Sequence, residues 1–204
     1  MIKNIIFDIG AVLIDWNPRH YYRQIMKNDA EVEKFLTEIC TFEWNHSLDL
    51  GRPWEDARHE LVSKYPEYTK YIDAYWNNWL EMISEPIQGS VDILKSLKNM
   101  GFPVYALSNW NHITFQVALK EFDFLNIFDG RIVSGEVKLA KPDPRIYKLL
   151  LETFGLVPEE SLFIDDRIDN VEVARKLGIK AVQFISPENL QDDLLIHGIN
   201  ITKT

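Results

Sequence analysis

The residues able to do chemistry are few, and they lie where apolar runs end. Asp8 closes the run Ile5-Ile6-Phe7, and Gly10 follows two residues later. Ser108-Asn109 follow Val104–Leu107, Lys141-Pro142 come shortly after Arg131–Val133, and the adjacent pair Asp165-Asp166 follows Leu162–Ile164. Singly, most have a bland explanation: Asp and Ser-Asn are common turn formers, and a Lys before Pro is an ordinary surface residue. Adjacent aspartates at the end of a buried run are different, because they repel unless a cation or a proton intervenes. A hard divalent ion answers that need, and Mg2+ typically binds one or two carboxylates together with substrate phosphate. The set then reads as a phosphoryl-transfer site. Mg2+ on Asp8 and Asp166 neutralises an incoming phosphate, and Asp8 attacks phosphorus to give an aspartyl-phosphate. Lys141 pairs with Asp8 and the phosphoryl oxygens, while Ser108 and the Asn109 backbone N–H hold those oxygens in the transition state. Water then releases phosphate.

For these groups to meet, the runs must be neighbouring strands whose carboxyl ends share one rim. Five runs qualify: Ile2–Phe7, Val104–Leu107, Arg131–Val133, Leu162–Ile164 and Ala181–Ile185. The central ones lack strict alternation, as expected of strands covered on both faces. Helical patterns lie between them, at 90–100 behind a Ser90 cap, at 144–154 closed by Gly155, at 169–177 closed by Gly178, and after Ser186-Pro187. The expected fold is α/β, a doubly wound parallel five-stranded sheet of the Rossmann-like kind. Later strands start roughly 20–30 residues apart, but the first two are about a hundred apart, which leaves room for an insert. The expected division is a core of residues 1–15 and 86–204 with a helical cap of residues 16–85 inserted after strand one. In the insert, Tyr68, Tyr71, Ile72, Tyr75, Trp76, Trp79, Leu80 and Ile83 recur at three and four, predicting one helix over 66–83 that packs its aromatic stripe inward.

The bulk properties narrow the partners. The 204 residues are 46% hydrophobic and 26% charged with a formal net charge of −9. That balance speaks against nucleic acid, which asks for clustered Lys and Arg, but not against a small anionic substrate. Cys40 is the single cysteine, so no internal disulfide is possible. No signal-peptide pattern and no membrane-length run appears, so a cytoplasmic protein with no membrane partner is expected, as monomer or homodimer.

Together these stretches resemble the motifs of the haloacid dehalogenase (HAD) superfamily nearly end to end. FDIGAVLID (7–15) is similar to its first motif, LSN (107–109) to the second, KPDPRIY (141–147) to the third and FIDDRIDN (163–170) to the fourth. The resemblance implies that Asp8 is the nucleophile, that Ser108 and Asn109 bind the transferred group, and that Lys141 is the third-motif lysine. It implies Mg2+ held by Asp8, Asp166 and the Gly10 carbonyl, with Asp165 in support, and a cap that closes over the site and moves. Asn170 stands where many relatives carry another acid. One departure stands out. Most phosphatases of the family carry a second aspartate two residues after the nucleophile, to protonate the leaving group and later activate water. Gly10 has no acid to give, although sugar-phosphate phosphatases with an Asp-x-Gly start exist in the superfamily. Glycine here is expected to permit the tight turn and a close carbonyl approach to the cation.

Three readings follow. The leading one is a Mg2+-dependent phosphatase of a small phosphorylated metabolite, a sugar phosphate among the candidates. The second is a metal-free 2-haloacid dehalogenase, in which Asp8 attacks carbon and Arg19 holds a substrate carboxylate. The third is a non-catalytic phosphate-binding or regulatory module. Around the site mouth, Trp16, Arg19, Asn45 and Trp110 are expected to line the substrate pocket. His46 and His112 are candidate proton donors in place of the missing acid.

Overall fold

The computed structural model describes residues 1–201. Among these, seven strands form: β1 (Asn4–Phe7), β2 (Ile14–Trp16), β3 (Ile83–Pro86), β4 (Val104–Ser108), β5 (Gly130–Val133), β6 (Ser161–Asp165) and β7 (Lys180–Gln183). Five make one parallel sheet in the order β5-β4-β1-β6-β7. They are the five strands expected from the sequence, with ends shifted by a few residues. β1 is central, and Phe7 lies opposite Ala106 on one side and Ile164 on the other.

Alternation along the strands sorts the two faces. Ile6, Leu107 and Phe163 pack with Ile146, Leu150 and Val171. Ile5, Phe7 and Ile164 pack with Leu94, Leu97 and Leu194. The helices supplying these partners follow the insert helices α1 (Pro18–Ile25), α2 (Asp29–Lys34), α3 (Phe42–Asp49), α4 (Trp54–Lys64) and α5 (Thr69–Asn77). They are α6 (Gln88–Asn99), α7 (His112–Glu121), α8 (Ser134–Val137), α9 (Pro144–Phe154), α10 (Ile168–Lys176) and α11 (Pro187–Ile196). α9 and α10 cover one face, and α6 and α11 the other.

Two local expectations hold as read. Gly155 ends α9 in the left-handed region at φ 63°, and Ser186 caps α11 by accepting from Asn189 N, with Pro187 as its first residue. The cap of α6 does not. The helix starts at Gln88, so Ser90 lies inside it, fully buried, with its Oγ unpartnered. The chain comes out of β3 already turning, because Ile87 N donates to Leu13 O and Ser90 N to Ile87 O.

The insert is helical but not as drawn. Residues 66–83 are not one helix: α5 ends at Asn77, a 3-10 turn covers Trp79–Met82, and β3 begins at Ile83. The aromatic stripe serves two cores. Ile72 and Tyr75 pack within the insert against Tyr22, Phe35 and Trp44, whereas Trp79 and Ile83 join the core beneath the sheet rim. One straight helix cannot reach both, and the break at Asn78 redirects the chain. The antiparallel ribbon β2–β3 was also not anticipated. It pairs Ile14 with Pro86 and Trp16 with Ile83, tying the two ends of the insert together.

Candidate active site

Asp8 is the first residue beyond β1, and its N–H still donates to Ile164 O at 2.8 Å, so the strand aims it at the rim. Its Oδ1 accepts from Ile9 N at 2.7 Å and from Ser108 Oγ at 2.9 Å. Its Oδ2 meets Lys141 Nζ at 2.8 Å, and that ammonium also reaches Asp165 Oδ2 at 2.7 Å. Lys141 is held by the Asn109 side chain, whose Oδ1 accepts from Lys141 N and whose Nδ2 donates to Lys141 O, both at 2.8 Å. The Asn109 amide therefore clamps the lysine backbone. Asp165 also accepts from Asn170 Nδ2 at 2.9 and 3.1 Å and from Arg167 N at 2.9 Å. Asn170 thus donates where the family resemblance suggested an acid.

The charges do not balance. Burial pushes the Asp8 carboxyl up to about 7; Lys141 opposes this, and Asp165 and Asp166 add to it. Burial and Asp165 likewise raise Asp166. Burial works to lower the Lys141 ammonium, but the Asp165 and Asp8 carboxylates prevail and hold it above its usual value. Three acids face one ammonium, and one carboxylate oxygen from each of Asp8, Asp165 and Asp166 lies within 4.8 Å of the others. Oxygen donors with excess negative charge fit a hard divalent cation such as Mg2+ better than a soft one.

Gly10 is not where the tight turn falls. The left-handed residue is Ala11, at φ 56°, while Gly10 lies outside that region. A Cβ added at Gly10 would meet nothing within 4 Å. Glycine here leaves open space in place of a required conformation.

That space belongs to a cavity of about 60 Å³ over the rim. Gly10, Trp16, Asn45, Asn109 and Trp110 line it, as do Asp49 and Trp79. Trp79 packs on Trp110 with ring centroids 5.3 Å apart, and Trp16 Nε1 is a buried donor with no hydrogen-bond partner. Arg19 is not among the lining residues. Its guanidinium makes two 2.6 Å bonds to Glu33, which turn it along the insert surface. His46 lies outside this cavity too, stacked on Phe42 and lining a separate cleft with Lys138, Lys141 and Arg145. Burial and Arg167 lower its imidazole below the usual value. His112 begins α7 with a buried, unpartnered Nδ1 and does not line the cavity either.

Asp49 escaped the sequence reading, which singled out its near neighbours Asn45 and His46. It is the last residue of α3, and the rim holds that end firmly. Ser134 Oγ donates to Asp49 O at 2.6 Å, and Asn111 Nδ2 donates to Leu48 O at 2.9 Å. Within the insert, Tyr75 OH donates to Asn45 Oδ1 at 3.1 Å, and Asn45 Nδ2 donates to Asp49 Oδ2 at 3.0 Å. Burial pushes the Asp49 carboxyl up to about 8, against a smaller lowering by the Asn111 backbone N–H.

A family model described as haloacid dehalogenase-like hydrolase matches residues 2–178. The chain belongs to that family. It is 38% identical to a phosphorylated carbohydrates phosphatase of Thermotoga maritima, over 89% of this chain and 84% of that protein. It is 29% identical to (S)-2-haloacid dehalogenase 4A of Burkholderia cepacia, over 85% of this chain and 69% of that one. A 27% identity to drimenol cyclase drtB of Aspergillus calidoustus covers 95% of this chain, which spans only 36% of that protein. Among solved structures, a HAD family enzyme of Bacteroides thetaiotaomicron in complex with magnesium and inorganic phosphate superposes with a TM-score of 0.70. That match has 29% identity and covers 91% of this chain and 96% of the other. Among the described residues, no helix is long and apolar enough to cross a membrane.

Proposed function

We propose that this hydrolase is a Mg2+-dependent phosphatase of a small phosphorylated metabolite, with sugar phosphates the leading class. The observation that carries the reading is the acid excess at the rim: Asp8, Asp165 and Asp166 converge around one lysine. Those carboxylates and the Gly10 carbonyl would hold Mg2+, whose charge would offset that of the phosphate. Asp8 then attacks phosphorus, Ser108 Oγ and the Asn109 N–H bind the phosphoryl oxygens, and Lys141 orients Asp8 and spreads positive charge. The Thermotoga phosphatase and the magnesium–phosphate complex of the Bacteroides enzyme support the same reading. The dehalogenase alternative asks a carboxylate substrate to approach uncompensated carboxylates, which repel it.

We further assign residues 16–85 to a mobile cap. Their own aromatic core and the β2–β3 ribbon support that division. The cavity is small, about 60 Å³, and in this reading the substrate enters an opened form.

The test is phosphate release from a panel of small esters with and without Mg2+, with Asp8→Asn beside the wild type. Mg2+-dependent release that Asp8→Asn abolishes is the expected result. Metal-free halide release from 2-haloacids, with no phosphate release, would overturn the reading in favour of the dehalogenase. Binding of Mg2+ and phosphate without turnover of either kind would favour the non-catalytic module.

A further inference from the structure

A phosphatase whose leaving group is an alcohol has to protonate it, because an alkoxide leaves poorly. Among the described residues, the core rim groups are already engaged, Asp166 with the acidic cluster that would hold the cation. Lys141 is shared between Asp8 and Asp165, and Gly10 carries no side chain. Of the residues that line the cavity above Gly10, Asp49 alone has an ionisable side chain.

We infer that Asp49, reaching down from the end of α3, is the general acid and base of this enzyme, filling from the cap the space that Gly10 leaves open in the core. Three features of the geometry support this. Asp49 and Gly10 line one cavity of about 60 Å³, so the cap carboxyl and the space left by the core glycine share the same opening. The space at Gly10 is empty to 4 Å around a would-be Cβ. The carboxyl is also oriented: Tyr75 OH fixes the Asn45 amide, and the amide donates to Asp49 Oδ2. No cation among the described residues pairs with Asp49, and its burial favours the protonated form an acid needs at the start of a cycle.

The steps balance. An Asp8 carboxylate oxygen forms a bond to phosphorus as the bond from phosphorus to the ester oxygen breaks. The departing oxygen takes the proton of Asp49, giving an alcohol, the aspartyl-phosphate and an Asp49 carboxylate. Water then attacks phosphorus and gives its proton to Asp49, and the bond to Asp8 breaks. Phosphate leaves with both aspartates restored.

The inference rests on the phosphatase reading, and one experiment separates the two. Single-turnover release of the leaving group is followed with Mg2+ for wild type and Asp49→Asn. One substrate is p-nitrophenyl phosphate, whose phenolate leaves without a proton. The other is whichever of glucose 6-phosphate, ribose 5-phosphate and glycerol 1-phosphate the wild type hydrolyses. Asp49→Asn is expected to slow the alkyl ester by about 100-fold or more and the nitrophenyl ester by less than about tenfold. Adding Gly10→Asp to Asp49→Asn should restore at least about tenfold on the alkyl ester, a recovery that damage to the fold would not show. Equal losses on both esters, or no loss on either, would overturn the assignment while leaving the phosphatase reading intact. Wild-type silence on all four esters would overturn that reading and the assignment with it.

Discussion

On the core rim, Asp8, Lys141 and Asp165 are held by the ends of β1 and β6 and by a lysine backbone clamped to Asn109. Across the cavity, Asp49 is held by the Asn45 amide and by the seam between α3 and the rim. The first group is charged and paired, and the sheet sets its geometry. The second is a carboxyl without a counter-ion among the described residues, oriented by neutral hydrogen bonds inside the insert and joined to the rim only through the Ser134 and Asn111 bonds to the end of α3. The contrast suggests a division of labour. The nucleophile and its electrostatics are standing features of the core, while the proton donor is delivered only by closure.

The contrast can be broken at several points. The largest effect is expected at the paired side. Lys141→Met leaves Asp8 and Asp165 buried without their shared cation, which should cost about 3–5 kcal/mol in Mg2+-free denaturant unfolding. A loss below about 1 kcal/mol would mean that the rim does not depend on the ammonium.

Next comes pH. Between 3.8 and about 8 the folded chain keeps a proton on Asp49 that the unfolded chain has released. Stability should therefore fall as pH rises through that window. The groups facing Asp49 are the Asn45 amide, the Tyr75 hydroxyl and the Asn111 backbone amide, none charged near neutral pH. Asp49→Asn should remove a fall of about 2 kcal/mol, a figure discounted for water reaching the part-buried carboxyl through the cavity. Identical pH–stability curves for wild type and variant would show that Asp49 titrates like an exposed acid.

A smaller effect tests the neutral side. Tyr75→Phe removes one part-buried hydrogen bond and should cost about 1 kcal/mol. It should also lower kcat on alkyl esters while KM stays unchanged. A change in KM alone would instead make Asn45 a substrate contact. Smallest is Arg19→Ala. Its partner Glu33 lies on the surface, so stability should shift by less than about 1 kcal/mol. A large rise in KM would return Arg19 to the substrate site.

The parts legible in the sequence were those written in short contiguous stretches. Four of the five sheet strands lead into residues of the rim cluster, so finding those strands also finds Asp8, Ser108, Lys141 and Asp165. The parts that escaped depend on which surfaces meet. The stripe from Tyr68 to Ile83 has helical spacing throughout, but spacing does not say that Ile72 and Trp79 belong to different cores. Ser90 looks like a cap because its residue type favours one, yet the turn out of β3 starts the helix earlier. Arg19 is near the site in sequence but is drawn away by Glu33, fourteen positions on. Asp49 left one trace, its four-residue spacing from Asn45 on a helix face. Nothing in the polar stretch around it tells that the rim of another element closes over that carboxyl.

The contact between Trp79 and Trp110 has an optical consequence. One indole sits on the insert and the other on the loop after β4, 5.3 Å apart across the seam. Trp44, Trp54 and Trp76 lie within the insert's own aromatic cluster or stack beside it. Parting the seam would pull that indole pair apart and wet it, while Trp44 and Trp54, packed within the insert, would keep their surroundings. The chain thus carries a built-in fluorophore pair whose emission reports the seam, readable in stopped flow without any attached label.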